Sequence, residues 1–458
     1  MDFSPRIRKQ WGIITQNYPW YFIGFLILAG IIPKIYIILN LFWIGRISMD
    51  ALAVTEQYEF IGSTMEVLQG MIPIAVLALV SQHYHHREKV IEIVKAGLIL
   101  QIIISLAITV FIVFFIRDVV GMIGTPVSIV DLTREYLLVR AIVLPIEAVS
   151  YTLLIAIKSL QKGKEQLILI TTAIFVNIAL DLFLVSNTPV SLHLGVQGVA
   201  IGYLLTKMVL LVISLAYLIH ILKINITSII TTTWRHQVVP LFKIGSWSGL
   251  ETAIRSMGIV WILVVLNGLG TAEYGGFGLA TWIFWILLMP VIALGQGTSV
   301  LVGNYSSEKR YGDLLNIMKT SLVLVTIFTL AVVTTGILWW QHVSLFLNPN
   351  PEIVAFSVTV FIWCFIGFVG YGIGIVLRSI FYGTGQTRYI FYISCITNLG
   401  MILPFFALIQ AEILTPTFPM VVAVYMIVNV VDPILAFLWA RKVISEFPVM
   451  TPDVNPSV

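Results

Sequence analysis

The 458 residues are 59% apolar and only 10% charged, with a mean hydropathy of +1.00. So little charge excludes a water-soluble globular surface and places the chain in lipid. The net charge of +4 is too small to build a nucleic-acid surface, and Cys364 and Cys395, without CxxC or Cys/His spacing, exclude a disulfide framework or zinc site.

A membrane span needs about 20 predominantly apolar residues. In chain order, such runs lie near 20–45, 57–81, 96–116, 134–157, 166–186, 194–221, 245–268, 274–302, 315–338, 352–378, 387–410 and 417–440. Twelve spans are therefore expected, in an all-α integral membrane protein. The basic flank "PRIRKQW" precedes the first run and no small-residue cleavage signal follows it, so that run is expected to be retained as span 1. With the N-terminus inside, 19 of the 26 Lys and Arg residues fall on the cytoplasmic side, Lys158 and Arg378 among them. Three (Arg46, Arg117 and Arg134) fall outside, and Lys34, Arg140, Lys207 and Arg255 fall within spans. The positive-inside rule then puts both termini in the cytoplasm of a multi-pass cell-membrane protein.

The two halves echo each other. "VSQHY" (80–84) aligns with "VGNYS" (302–306), "VIEIVKAG" (90–97) with "LLNIMKTS" (314–321), and "LQKGKEQLILITT" (160–172) with "FYGTGQTRYIFYI" (381–393), all at offsets of 222–224. Such an offset carries six spans, an even number, so the halves form a parallel repeat. The expected organisation is a lobe over 1–222, a cytoplasmic linker over 223–244, a second lobe over 245–440 and a tail over 441–458.

Charge inside the spans draws attention to function, because a lone carboxylate in a bilayer is disfavoured by roughly 2.5–3.5 kcal/mol. Span 5 reads "IFVNIALDLFLV", with Asn177 and Asp181 one helical turn apart on one face, and Tyr36 and Asn40 share a face of span 1 in the same way. From a rise of about 1.5 Å per residue, Asn40 and Asp181 lie about 8 Å, and Tyr203 about 14 Å, inside the outer ends of their spans. Burial among Ile, Leu and Val penalises the carboxylate ion, so protonation of Asp181 near neutral pH is expected, which suits a proton-driven carrier. The plainer account is a structural Asp capping a polar cluster. Lys207 stands one turn beyond Tyr203, and Lys34 six residues before Asn40. Either lysine is a candidate partner for Asp181 or Glu147, which would keep the acid ionised, and either is equally a snorkelling side chain. Glu251 and Arg255 are spaced for an internal ion pair on span 7, and Glu66 and Asp432 are further acids that a cavity would employ. Pro33, Pro73, Pro145, Pro290, Pro404 and Pro433 mark expected kinks. Trp261, Trp282 and Trp285 suit either stacking on flat cations or facing lipid.

Several segments in this order resemble the multidrug and toxic compound extrusion (MATE) family. They are "LFWIGRISMDALAV" after span 1, "LVSQ" ending span 2, "LQKGKEQ" between spans 4 and 5, "VNIALDLFLV" in span 5, "LGVQGVAIGY" entering span 6 and "VLRSIFYGTGQTR" between spans 10 and 11. The resemblance implies two six-helix lobes forming a V around a cavity. It also implies export of amphipathic, often cationic compounds driven by inward sodium or proton flow. It further implies an ion site on spans 1, 5 and 6, where Asn177 and Asp181 match the family pair. Asn40 stands where aspartate is usual and Tyr203 where threonine is usual, which departs from ordinary sodium coordination. Protons are therefore expected over sodium as coupling ion, with sodium at Asp181 and Asn177 as the alternative.

No GxxxxGK[ST] loop, catalytic triad or cofactor fingerprint occurs, so neither ATP-driven pumping nor an enzyme is expected, and no cofactor. "HYHHREK" (83–89) reads as a solvated turn. The expected partners are small organic substrates and membrane lipids, not nucleic acid, for a monomer. The rival reading is a flippase for a lipid or lipid-linked saccharide.

Overall fold

The computed structural model describes residues 18–44, 54–55, 58–123, 125, 127–186, 189, 191–224 and 233–447. Among these, the secondary structure is helical throughout. Eleven helical segments are long and apolar enough to cross a membrane, and a shorter apolar stretch, Trp20–Pro33, opens the first helix. Arg46 and the tail beyond residue 447 lie outside the described residues, as does part of the linker, 225–232.

The chain divides into two compact units, Tyr21–Thr252 and Ala253–Val458, the latter with Met1–Trp20. In the first unit, α1 spans Trp20–Ile44, α2 Glu59–Gly70, α3 Ile72–Gln82, α4 Arg87–Phe114, α5 Ile116–Ile123, α6 Val130–Ser159, α7 Gly163–Leu184 and α8 Gly195–Ile221. Helix α9, Val238–Leu269, runs across the division. In the second unit follow α10 Thr271–Ser307, α11 Tyr311–Leu347, α12 Pro351–Thr384, α13 Arg388–Ser394, a π-helical segment Cys395–Ile402, α14 Leu403–Gln410 and α15 Phe418–Ser445.

Helices α4 and α7 bury polar residues and expose aromatic ones. The buried face of α7 is Gln166, Leu169, Ala173, Asn177, Asp181 and Leu184, spaced three or four residues apart, whereas Phe175 and Phe183 are exposed. Helix α4 buries Gln101, Ser105 and Thr109 and exposes Phe111 and Phe114. Lipid satisfies apolar side chains as well as a core does, so polar and small residues turn inward to bond and pack. Thr109 donates to the Ala141 carbonyl at 3.1 Å, tying α4 to α6. In the second unit, Trp340 Nε1 donates to Ser357 Oγ at 3.1 Å between α11 and α12.

In the first unit α6 packs against α3, α4 and α8, and α8 against α7. In the second, α12 is central, against α10, α11 and α15. The prolines divide into two kinds. Pro145, Pro290 and Pro433 lie inside continuous helices. Pro73 opens α3 after the break at Met71, and Pro404 opens α14 after the π-helical segment, because a residue without an amide hydrogen is tolerated at a helix start.

Candidate functional site

Two polar clusters are buried in the first unit. The first centres on Asp181, which is 2% exposed on the inward stripe of α7. Tyr36 of α1 donates its hydroxyl to Asp181 Oδ2 at 2.8 Å, and Asn177, one turn earlier on α7, donates its amide to Oδ1 at 3.3 Å. Gly202 brings α8 alongside, since a Cβ there would lie 3.5 Å from Asp181 Oδ1. Both donors are neutral, and among the described residues no cation pairs with Asp181. Hydrogen bonds to a charged group contribute about 1.5–3 kcal/mol each, enough to hold the carboxylate without neutralising it. Asn40 and Lys34 belong to α1, and their side chains lie outside the described residues.

Tyr203, expected near Asp181, neighbours the Asp181 partner Tyr36 and donates its hydroxyl to Glu147 Oε1 on α6 at 2.5 Å. Lys207, one turn further along α8, meets the same oxygen at 2.7 Å. Of the two acids the sequence offered Lys207, it is Glu147 that receives it. Above this pair lies Arg140, whose guanidinium carbon is 3.7 Å from the ring centroids of both Tyr58 and Tyr203. A guanidinium between two phenol faces suits the ring quadrupoles, at about 0.5–2 kcal/mol per face. Span position alone marked Arg140 as unusual, but nothing in the sequence indicated its aromatic partners. The two acids thus differ in kind: Glu147 has its own cation, whereas Asp181 has two neutral donors.

In the remaining positions, Glu251 is buried near the end of the first unit and accepts from Thr252 Oγ1 at 3.3 Å. Arg255, one turn on, lines a cavity of the second unit. That cavity, about 90 Å³, is walled by Phe284, Trp285, Phe368, Tyr371 and Tyr425, and Asp432 lies on it. Trp261 instead stacks on Phe406, centroids 6.2 Å apart. Arg378 forms an ion pair with Asp432, and both are more than nine-tenths buried. Arg378, the last residue of the expected span 10, lies within α12, which continues past it to Thr384. Lys158, next after the expected span 4, lies in the last turn of α6 and is 1% exposed. Glu66 is exposed on α2. Among the described residues no group of three or more His, Cys, Asp or Glu is placed to hold a metal ion.

The MatE family profile matches twice, over residues 26–183 and again over 248–407. The chain belongs to the MatE family. It is accordingly a multi-pass membrane transporter. The two matches begin 222 residues apart, at 26 and 248, the offset of the internal repeat. Tyr36, Glu147, Asn177 and Asp181 fall in the first MatE match and Arg255 and Arg378 in the second, whereas Tyr203, Lys207 and Asp432 lie outside both. Comparison with curated proteins gives no match. Among solved structures, this MatE chain is similar to an outward-facing multidrug resistance MATE transporter of the MOP superfamily. The TM-score is 0.84 at 18% identity, covering 95% of this chain and 98% of that one. It is similar to the Vibrio cholerae MATE transporter VcmN, solved as a mutant, with TM-score 0.84 and 15% identity over 93% and 96% of the two chains. It is also similar to a MOP superfamily transporter from Pyrococcus furiosus, whose binding pocket is described as reversed in polarity. There the TM-score is 0.83 at 17% identity over 93% and 95%. At these identities the likeness is one of fold.

Proposed function

We propose that this MatE-family transporter is a proton-coupled antiporter exporting amphipathic or cationic organic compounds across the cell membrane, with both termini cytoplasmic. Alternating access moves the lobes of residues 1–222 and 245–440 about the linker 223–244. Inward proton flow passes through Asp181.

The observation that carries this reading is the environment of Asp181. Among the described residues Asp181 is a buried carboxylate with two neutral donors and no paired cation, so a proton binds and leaves there without breaking a described ion pair, whereas Glu147 is paired with Lys207. The protonated acid costs less in lipid than the ion, so proton binding favours whichever shape of the lobe buries Asp181 more deeply.

Proteoliposomes with proton and sodium gradients imposed separately test the coupling. A pH gradient should drive uptake of a cationic dye, and a sodium gradient at constant pH should not. Sodium-driven uptake at constant pH overturns the choice of ion.

One observation favours a second reading, a flippase for an anionic lipid or lipid-linked saccharide: Arg140 and Lys207 outnumber Glu147 in their cluster. The Pyrococcus furiosus transporter of reversed pocket polarity is a precedent for a different task on this fold. Scrambling of fluorescent lipid without dye uptake in the same vesicles selects that reading.

A further inference from the structure

At the end of the first unit where α1 begins, two helices finish side by side. Helix α6 ends with the Lys162 amide bonded to the Ile157 carbonyl at 3.2 Å, and Gln161 takes φ +57°. Helix α8 ends in the same manner, with the Ile224 amide on the Ile219 carbonyl at 3.0 Å and Lys223 at φ +45°. This is the helix stop that glycine normally serves, with an apolar contact across the turn.

Between these two ends lies an open recess of about 610 Å³, lined by Lys162, His220 and Lys223 and by Ile219, Ile221 and Ile224. The three basic side chains are exposed, and none makes an ion pair among the described residues. Glu165, in the first turn of α7, is engaged by the Tyr217 hydroxyl. Two features of the backbone add to the positive field. Lys162 immediately precedes α7, whose amino-terminal dipole favours an anion. The carbonyls at the end of α8, which would repel one, are covered: Arg87 donates to the carbonyls of Leu222 and Lys223, each at 2.5 Å. The recess therefore brings three basic side chains and three isoleucines to one lining, at the ends of two membrane-spanning helices.

We propose that this recess binds an anionic phospholipid, with the phosphate among Lys162, His220 and Lys223 and the glycerol and first methylenes on Ile219, Ile221 and Ile224. The lipid, and not free phosphate, is the occupant because the isoleucines give an acyl chain an apolar bed beneath the charges. The inference rests on the chain lying in a bilayer, not on the coupling ion or the exported substrate.

The test is native mass spectrometry of the whole protein equilibrated with equal phosphatidylglycerol and phosphatidylcholine in mixed micelles. One phosphatidylglycerol should remain bound in preference to phosphatidylcholine. At about a factor of 5 for each lysine near a membrane surface, Lys162→Gln with Lys223→Gln should weaken that preference about 30-fold. Arg at both positions should keep it, and Lys164→Gln, a nearby exposed lysine off the recess, should leave it unchanged. All these side chains are exposed, so the variants test binding and not folding. Equal retention of the two lipids, an unaltered preference in the double Gln variant, or displacement of the lipid by millimolar inorganic phosphate would each overturn the proposal.

Discussion

Lys207→Met is the most informative single perturbation of the Glu147 cluster. The ammonium lies 2.7 Å from a carboxylate that is itself 8% exposed. Removing one partner of such a pair leaves an uncompensated buried charge and costs about 3–5 kcal/mol, whereas replacing both partners by neutral groups is close to neutral. Tyr203 donates to Glu147 in parent and variant alike, so that hydrogen bond does not enter the difference. The expected loss is therefore about 3–5 kcal/mol for Lys207→Met, with most of it recovered in the double variant Lys207→Met, Glu147→Gln. Equilibrium unfolding of purified protein in mixed micelles, followed by tryptophan fluorescence, measures the four corners of the cycle. If Lys207→Met matches the parent within about 0.5 kcal/mol, or the double variant is no more stable than either single one, the ion pair is not the anchor described above.

Three further outcomes follow from the same geometry. Tyr36→Phe removes one of two described donors to Asp181 and should slow gradient-driven dye uptake several-fold at unchanged protein yield; parental uptake would show that the hydroxyl is not used. Arg140→Lys keeps the charge but loses the planar group between Tyr58 and Tyr203, and should lower stability by about 1–2 kcal/mol in micelle unfolding, whereas an unchanged midpoint would mean that stacking contributes nothing. Arg378→Gln alone should destabilise the second unit by about 3–5 kcal/mol, and adding Asp432→Asn should recover most of it, because a buried carboxylate is costly only while unpaired; additive losses would contradict that pairing.

The spans were legible because lipid demands length and apolarity, and both are written in composition along the chain. Asp181 and Asn177 were legible for the converse reason: a carboxylate in an apolar run is costly, and a turn's spacing puts the amide beside it. Tyr203 was not legible as the partner of Glu147, since spacing gives the face of a helix but not the neighbour it meets. Span 10 was ended at Arg378 because hydropathy falls at a guanidinium, yet α12 continues for six more residues and Asp432 pairs with the charge. The break between α2 and α3 had its signal in Pro73, expected as a kink and found as a helix start. The π-helical segment before Pro404 had no comparable signal beyond that proline, because the shift from four- to five-residue hydrogen bonding is decided by packing.

The central claim, that Asp181 carries the transported proton, is tested most directly by proton movement itself. Vesicles containing the purified transporter and an internal pH-sensitive dye receive an outward gradient of a cationic substrate with no imposed ion gradient. The parent should move protons opposite to the substrate, and Asp181→Asn should move substrate without protons or not at all. Equal proton flux in Asp181→Asn would contradict the account.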